Sequence, residues 1–230
     1  MAKPNVKPIP TDFSYIPFLL LKILMIAPLL KFNFRPVTVW DDNATGLVSA
    51  LYLAETLKKR GFDNIQFLFF DNEEKGRLGS KGFVEHIKDN PSYSGTKVIN
   101  IDSVGRGKAI YLAFEGADSE ADTVPADNGS DYKTDHKTDS KPEFSLARAI
   151  IEASSDAEIQ LKFNSESDCK FFTLNSIEAL TLTRYDDVMF CGQKQQDLSW
   201  THTYDDTRDK IDYDKITEVI RIVENYLNRL

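Results

Sequence analysis

FLFFDNEEKG, residues 67–76, changes character at one position. An apolar run stops at Phe70, and Asp71, Glu73 and Glu74 follow at once. The run begins at Asn64 (NIQFLFF, 64–70) and has strand length. An unbroken apolar stretch of that kind predicts a strand covered on both faces, as in a parallel sheet packed between helices. Open α/β sheets bind their ligands beyond the carboxyl ends of the strands. The acids therefore stand where such a fold does its chemistry.

The flanking sequence keeps the same alternation. ATGLVSALYLAETLKKRG (44–61) predicts a helix with Val48, Leu51, Ala54 and Leu57 at helical spacing, basic residues in its last turn and Gly61 after it. SKGFVEHIKDN (80–90) predicts a short helix closed before Pro91. TKVINID (96–102) and KAIYLAF (108–114) predict strands. PEFSLARAIIEAS (142–154) then reads as a helix, EIQLKF (158–163) as a strand, SDCKFFTLN (167–175) as a short helix and IEALTLT (177–183) as a strand. Residues 184–209 read as a long polar loop. The closing segment, 214–230, predicts a helix with Ile216, Val219, Ile220, Val223, Leu227 and Leu230 on one face. Strands alternating with helices predict an α/β three-layer sandwich, a mainly parallel mixed sheet flanked by helices.

Bulk composition sets outer bounds. A chain of 230 residues, 41% hydrophobic and 28% charged, is enough for one sizeable domain. We expect residues 1–14 to be a tail and 15–230 a single domain. Residues 115–142, almost without large apolar side chains, form a low-complexity insertion in it. That placement makes His136 a poor candidate for a rigid site. The net charge of −8, from 28 basic and 36 acidic residues, excludes a surface built to neutralise nucleic-acid phosphates. Cys169 and Cys191 are too few for a disulfide framework or a cysteine-rich zinc site. YIPFLLLKILMIAPLL (15–30) reads as a buried strand with an apolar lead-in. Lys22, Pro17 and Pro28 interrupt it as a membrane span, which remains the alternative. A cytoplasmic location is expected, with membrane-anchored or exported forms as alternatives.

Acid clusters recur at matching places. Asp41 and Asp42 precede the first helix, Glu73 and Glu74 follow the run 64–70, and Asp102 ends the strand 96–101. WTHTYDDT (200–207) adds His202. Taken singly these are a helix cap, a solvated turn, a strand-end turn and a surface histidine. If the strands are neighbours, Asp42, Glu74, Asp102 and His202 converge in one crevice, whose carboxylates would repel unless a cation neutralises them. Carboxylates with an imidazole suit zinc, and a spare carboxylate beside the metal suits a general base.

The motifs resemble those of metallopeptidase family 28, the zinc aminopeptidases with their glutaminyl cyclase and non-catalytic relatives. DDNATG (41–46) is similar to the family's D-D-N-A-S-G. FLFFDNEEKGRLGSKGFVE (67–85) is similar to F-x-x-F-D-x-E-E-x-G-L-L-G-S-x-x-Y-V-E. VINIDSVG resembles N-x-D-M-x-G, SDCKFF resembles S-D-H-x-P-F, and THTYDDTRDKID (201–212) resembles H-T-x-x-D-T-x-D-K-I. The resemblance implies an N-terminally shortened zinc exopeptidase fold. It makes Asp42 a metal bridge, Glu73 the general base, Glu74 and His202 ligands of one metal, and Asp102 a ligand of the other. Asp206 would orient His202. Tyr185, Phe190 and Trp200 are candidates for the substrate pocket, or simply loop anchors. The family's H-x-D motif aligns with IAPLL (26–30), which puts Pro28 and Leu30 where ligands belong. One well-ligated zinc is expected, with a second position reduced to Asp42 and Asp102. The implied activity is removal of N-terminal residues from peptides with a free amino group, by metal-activated water. The alternatives are a catalytically inactive binding or scaffold domain and a glutaminyl cyclase-like transferase.

Overall fold

The computed structural model describes residues 40–114, 144–154, 157–162, 167–190, 193–197 and 199–230. The tail, the 15–30 run with Pro28 and Leu30, the 115–142 insertion with His136, and Cys191 lie outside the described residues. Five helices and six strands concern us: α1 (Gly46–Lys59), α2 (Leu78–Ile87), β1 (Lys97–Ile101), β2 (Ala109–Ala113), α3 (Ser145–Ala153), β3 (Ile159–Lys162), α4 (Cys169–Leu174), β4 (Glu178–Tyr185), β5 (Asp187–Phe190), β6 (Gln193–Gln196) and α5 (Tyr213–Leu227).

Four strands form one sheet in the order β1-β4-β2-β3. β1 runs parallel to β4 and β2 parallel to β3, while β2 and β4 are antiparallel. The sheet is therefore mixed. Its central strand β4 is apolar on one face, with Leu180 and Leu182 wholly buried. On that side Leu53 and Leu57 of α1, Leu146 and Ile150 of α3, and Val219, Ile222 and Val223 of α5 complete the larger core. The opposite face carries α2 and α4, where Val84, Ile87, Cys169 and Phe172 pack with Ala179. Two cores on one sheet make three layers. Arg184, buried on β4, ties the layers by donating to Glu218 Oε2 of α5 (2.7 Å) and to the Lys108 carbonyl (3.1 Å). Among the described residues no helix is long and apolar enough to cross a membrane.

The structure corrects four sequence expectations. Residues 64–70 form no ladder with any described strand, and β1 is left at the sheet edge. A cavity of about 880 Å³ is lined by both segments, so hydrophobic packing, not pairing, positions Phe67 and Phe70. The polar loop 184–209 contains the antiparallel hairpin β5–β6, which its glutamines and short length concealed. α1 buries Gly46, Ser49, Leu53 and Leu57, while Val48 and Leu51 are exposed. Its apolar residues occur on two sides, so periodicity alone leaves the inner face open. α5 buries Ile222 and Tyr226 as well as Ile216, Val219, Ile220 and Val223, leaves Leu227 half-buried, and ends before the exposed Leu230.

Candidate metal centre

The first piece is DDNATG, which the sequence folds into a wound turn before α1. Asp41 is buried, and its Oδ1 accepts from Gly105 N (2.6 Å) and Thr45 Oγ1 (2.9 Å). Asn43 accepts from Gly46 N (3.0 Å) and Ser103 N (3.3 Å) and donates to the Ile101 carbonyl (3.1 Å). Thr45 Oγ1 accepts from Val104 N (3.0 Å). Every polar side chain of the motif but Asp42 is thus spent on fastening the turn to residues 101–105, and Asp42 points to the site. The approach is close enough that a methyl on Gly105 would lie 2.6 Å from Thr45 Cγ2, which is why glycine stands there.

Glu73 and Glu74 occupy a single helical turn, Glu73–Lys75, between two left-handed residues, Asn72 (φ 53°) and Gly76 (φ 96°). The tight turn brings both carboxylates to the same end of the sheet as Asp42. His202 arrives from the loop after β6, with φ 57°. Its Nε2 lies 2.8 Å from Asp42 Oδ2 and 2.7 Å from Glu74 Oε1. These three side chains form a group whose donor atoms all lie within 4.8 Å of one another. A tetrahedral zinc with bonds of about 2.0–2.1 Å sets its donors roughly 3.3 Å apart. To seat one zinc the two separations from His202 would open by about half an ångström, and the exposed His202 and Glu74 are free of the packing that would resist this.

The other acids surround that group. Burial pushes the Asp42 carboxyl up, and Glu74 and Asp206 add to this against the opposing charge of His202. Burial also raises Glu73, reinforced by Glu74 and Asp168, while Arg77, 4.0 Å away, pulls the other way. Asp102 follows β1 and is pushed up to about 7, first by burial and then by the Asp42 charge, although Ser103 Oγ donates to it at 3.1 Å. The residue keeps some open surface, but its carboxyl faces Asp42, Glu73 and Asp168, and that enclosure governs its proton. Among the described residues Asp102 stands outside the three-donor group.

The raised Asp102 has a consequence for stability. Its carboxyl is ordinary near 3.9 when unfolded and holds its proton to about 7 when folded. A raised group stabilises the fold below its unfolded value and loses that contribution as pH climbs through the folded one. Metal-free protein is expected to lose up to about 4 kcal/mol between pH 4 and pH 7 from this group. Urea unfolding of wild type and Asp102→Asn across that range reads it, and parallel pH profiles would refute the assignment.

Several predicted roles land differently. Asp206 is buried, and its two oxygens accept from the backbone of Asp41 (2.8 Å) and Asp42 (3.2 Å), so it orients the aspartate turn in place of the imidazole. Two adjacent amides offer it more hydrogen bonding than one ring nitrogen. Trp200 is buried beneath Arg106, whose guanidinium lies 4.3 Å from the ring centroid, and is an anchor with no open face toward a pocket. Tyr185, half-buried, does adjoin the acids: burial and then the charges of Asp102, Asp42 and Asp41 drive its hydroxyl up to about 12. The Phe190 side chain lies outside the described residues. Sequence reasoning gave no role at the site to Asp41, Arg77 or Asp168, although Asp41 was counted among the acid clusters. The first acid of D-D and the acid of SDCKFF were available signals, whereas nothing local marks Arg77.

Known proteins are similar to parts of this chain. A stretch of 73 residues is 36% identical to the alkaline phosphatase isozyme conversion protein of Escherichia coli, 31% of this chain and 21% of that protein. Over 138 residues the chain is 23% identical to a probable leucine aminopeptidase 2 of Aspergillus oryzae, 60% of this chain and 26% of that one. Its fold is similar to that of BSAP, a zinc aminopeptidase from Bacillus subtilis, with a TM-score of 0.59 and 21% identity, covering 82% of this chain and 41% of that one. The chain thus spans about a quarter or less of these curated relatives and two fifths of the solved structure. Residues 40–227, from the turn bearing Asp42 to the end of α5, match Peptidase family M28, and the chain belongs to that family.

Proposed function

We propose that this chain is a zinc-dependent aminopeptidase-like hydrolase acting on peptides with a free N-terminus. The observation that carries this reading is the meeting of Asp42, Glu74 and His202 with Glu73 beside them. Asp42, Glu74 and His202 would hold the ion. Bound there, zinc would supply a Lewis acid and would lower the pKa of a water to about 7. Glu73 takes the proton of the attacking water and delivers it to the leaving amine. Its raised proton affinity suits both halves of that transfer. The acid left outside that ligand set, Asp102, offers a counter-charge to the substrate's α-ammonium group, which favours removal of terminal residues over internal cleavage. Asp42 and Asp102 remain as donors for a second ion, but among the described residues no imidazole joins them, so one zinc per chain is the reading.

Metal analysis of the zinc-equilibrated protein, with hydrolysis of leucyl p-nitroanilide, tests this. About one zinc per chain and turnover are expected. A zinc-equilibrated sample without metal removes the enzyme readings altogether. Bound zinc without hydrolysis of any aminoacyl amide identifies a binding domain, and conversion of an N-terminal glutaminyl peptide to its cyclised form identifies a cyclase.

A further inference from the structure

Away from the three-donor group, one cation is oddly placed. Lys162 closes β3 on the sheet face that carries Asn100, Thr181, Thr183 and Tyr185, the polar face beside the acids. Its Nζ lies 5.3 Å from the centroid of the Tyr185 ring, and Tyr185 itself adjoins Asp102 and Asp42. The ammonium donates to Gln196 Oε1 at the end of β6. Among the described residues no carboxylate is within ion-pair distance of it, although the chain carries 36 acids against 28 bases. Asp187, which opens β5, accepts from the Tyr111 hydroxyl at 2.8 Å. Burial of Lys162 lowers its hold on its proton, the sign of a charge lacking a counter-ion. Beside it the Gln196 amide nitrogen is buried with no hydrogen-bond partner. A buried amide donor without an acceptor and a half-buried ammonium without an anion are each unfavourable. One carboxylate would satisfy both, by charge-assisted hydrogen bonds.

We propose that Lys162 and Gln196 form a carboxylate-binding subsite, separated from the acid cluster by the Tyr185 ring. The subsite deepens the peptidase reading by naming a substrate class: peptides that present a carboxylate near the cleaved bond. Two sources share that chemistry, an acidic N-terminal side chain and the free carboxyl end of a short peptide. Tyr111 and Tyr185, with ring centroids 6.0 Å apart, give the subsite an aromatic wall that would pack the methylenes of a glutamyl side chain.

Equilibrium binding to the full zinc-equilibrated chain tests the subsite without relying on turnover. The probes are glutamic acid α-amide against leucinamide for the side-chain source, and glycylglycine against its amide for the carboxyl-end source. At least one carboxylate probe is expected to bind about tenfold more tightly than its neutral counterpart, as a charge-assisted pair implies. Lys162→Met should erase that preference and leave the neutral probes unchanged, while Lys162→Arg should keep most of it. Equal affinity of carboxylate and neutral probes for the wild type, or an unchanged preference in a Lys162→Met protein of normal urea stability, overturns the subsite. Carboxylate preference in a chain that hydrolyses nothing would remove the peptidase reading and keep the subsite. Hydrolysis of leucyl p-nitroanilide with no carboxylate preference would do the reverse.

Discussion

Glu73→Gln is expected to lower turnover of leucyl p-nitroanilide by about a thousandfold, the scale on which a positioned general base acts, while zinc content stays at that of the wild type. The two side chains have nearly the same shape, so the left-handed turn between Asn72 and Gly76 has no reason to move. What the amide lacks is the capacity to take a proton. Glu73 is also outside the three-donor group, so its loss leaves the ligands in place. The substitution removes one carboxylate from the repelling set around Asp42 and Asp102. Metal binding should therefore weaken only slightly, and the split between retained zinc and lost turnover is the diagnostic. Turnover within tenfold of the wild type would show that another group moves the proton.

The second large effect is expected far from the ligands in chemical role, though not in space. Asp206→Ala should weaken zinc binding by about ten- to a hundredfold, the usual cost of losing a supporting partner, and destabilise the fold by about 2–4 kcal/mol. The buried Asp206 carboxylate is the acceptor for two consecutive amides, Asp41 and Asp42. Deleting it orphans both donors and releases the turn that aims Asp42. Asp206→Asn should do little better, because one amide NH2 would then confront a backbone N–H. Some repulsion is relieved, since the Asp206 charge helps to raise Asp41, but this offsets only part of the loss. Urea unfolding and zinc competition against a chelator read the two effects separately. A stable Asp206→Ala protein with zinc affinity within twofold of wild type would mean that the turn is held by Asp41, Asn43 and Thr45 alone.

Much of this was legible before any coordinates, and the limits have physical causes. β4 and α5 were readable because a long apolar run and a sustained helical period each admit one structure. The acids were readable because like charges at equivalent strand ends have few reasons to coexist. The run 64–70 misled because an apolar segment signals burial, and burial does not require ladder partners. The hairpin β5–β6 was hidden because glutamine-rich strands with exposed Val188 and Met189 lack an alternating face. Asp206 was read as a partner for the histidine four residues before it, when the hydrogen bonds that define it span 165 and 164 residues. Trp200 looked like a pocket wall because an aromatic residue in a polar loop carries no mark telling which of its sides faces inward.

The position of β4 has a consequence for how the molecule comes into being. The strand at the middle of the sheet is made after both strands it joins, and β1 and β2 have no pairing with each other until it arrives. Before β4 has emerged, β2 and β3 can pair, but among the described strands β1 has no partner. His202 and Asp206 follow β4 along the chain, so the three-donor group can close only after the strand that joins the sheet has been made.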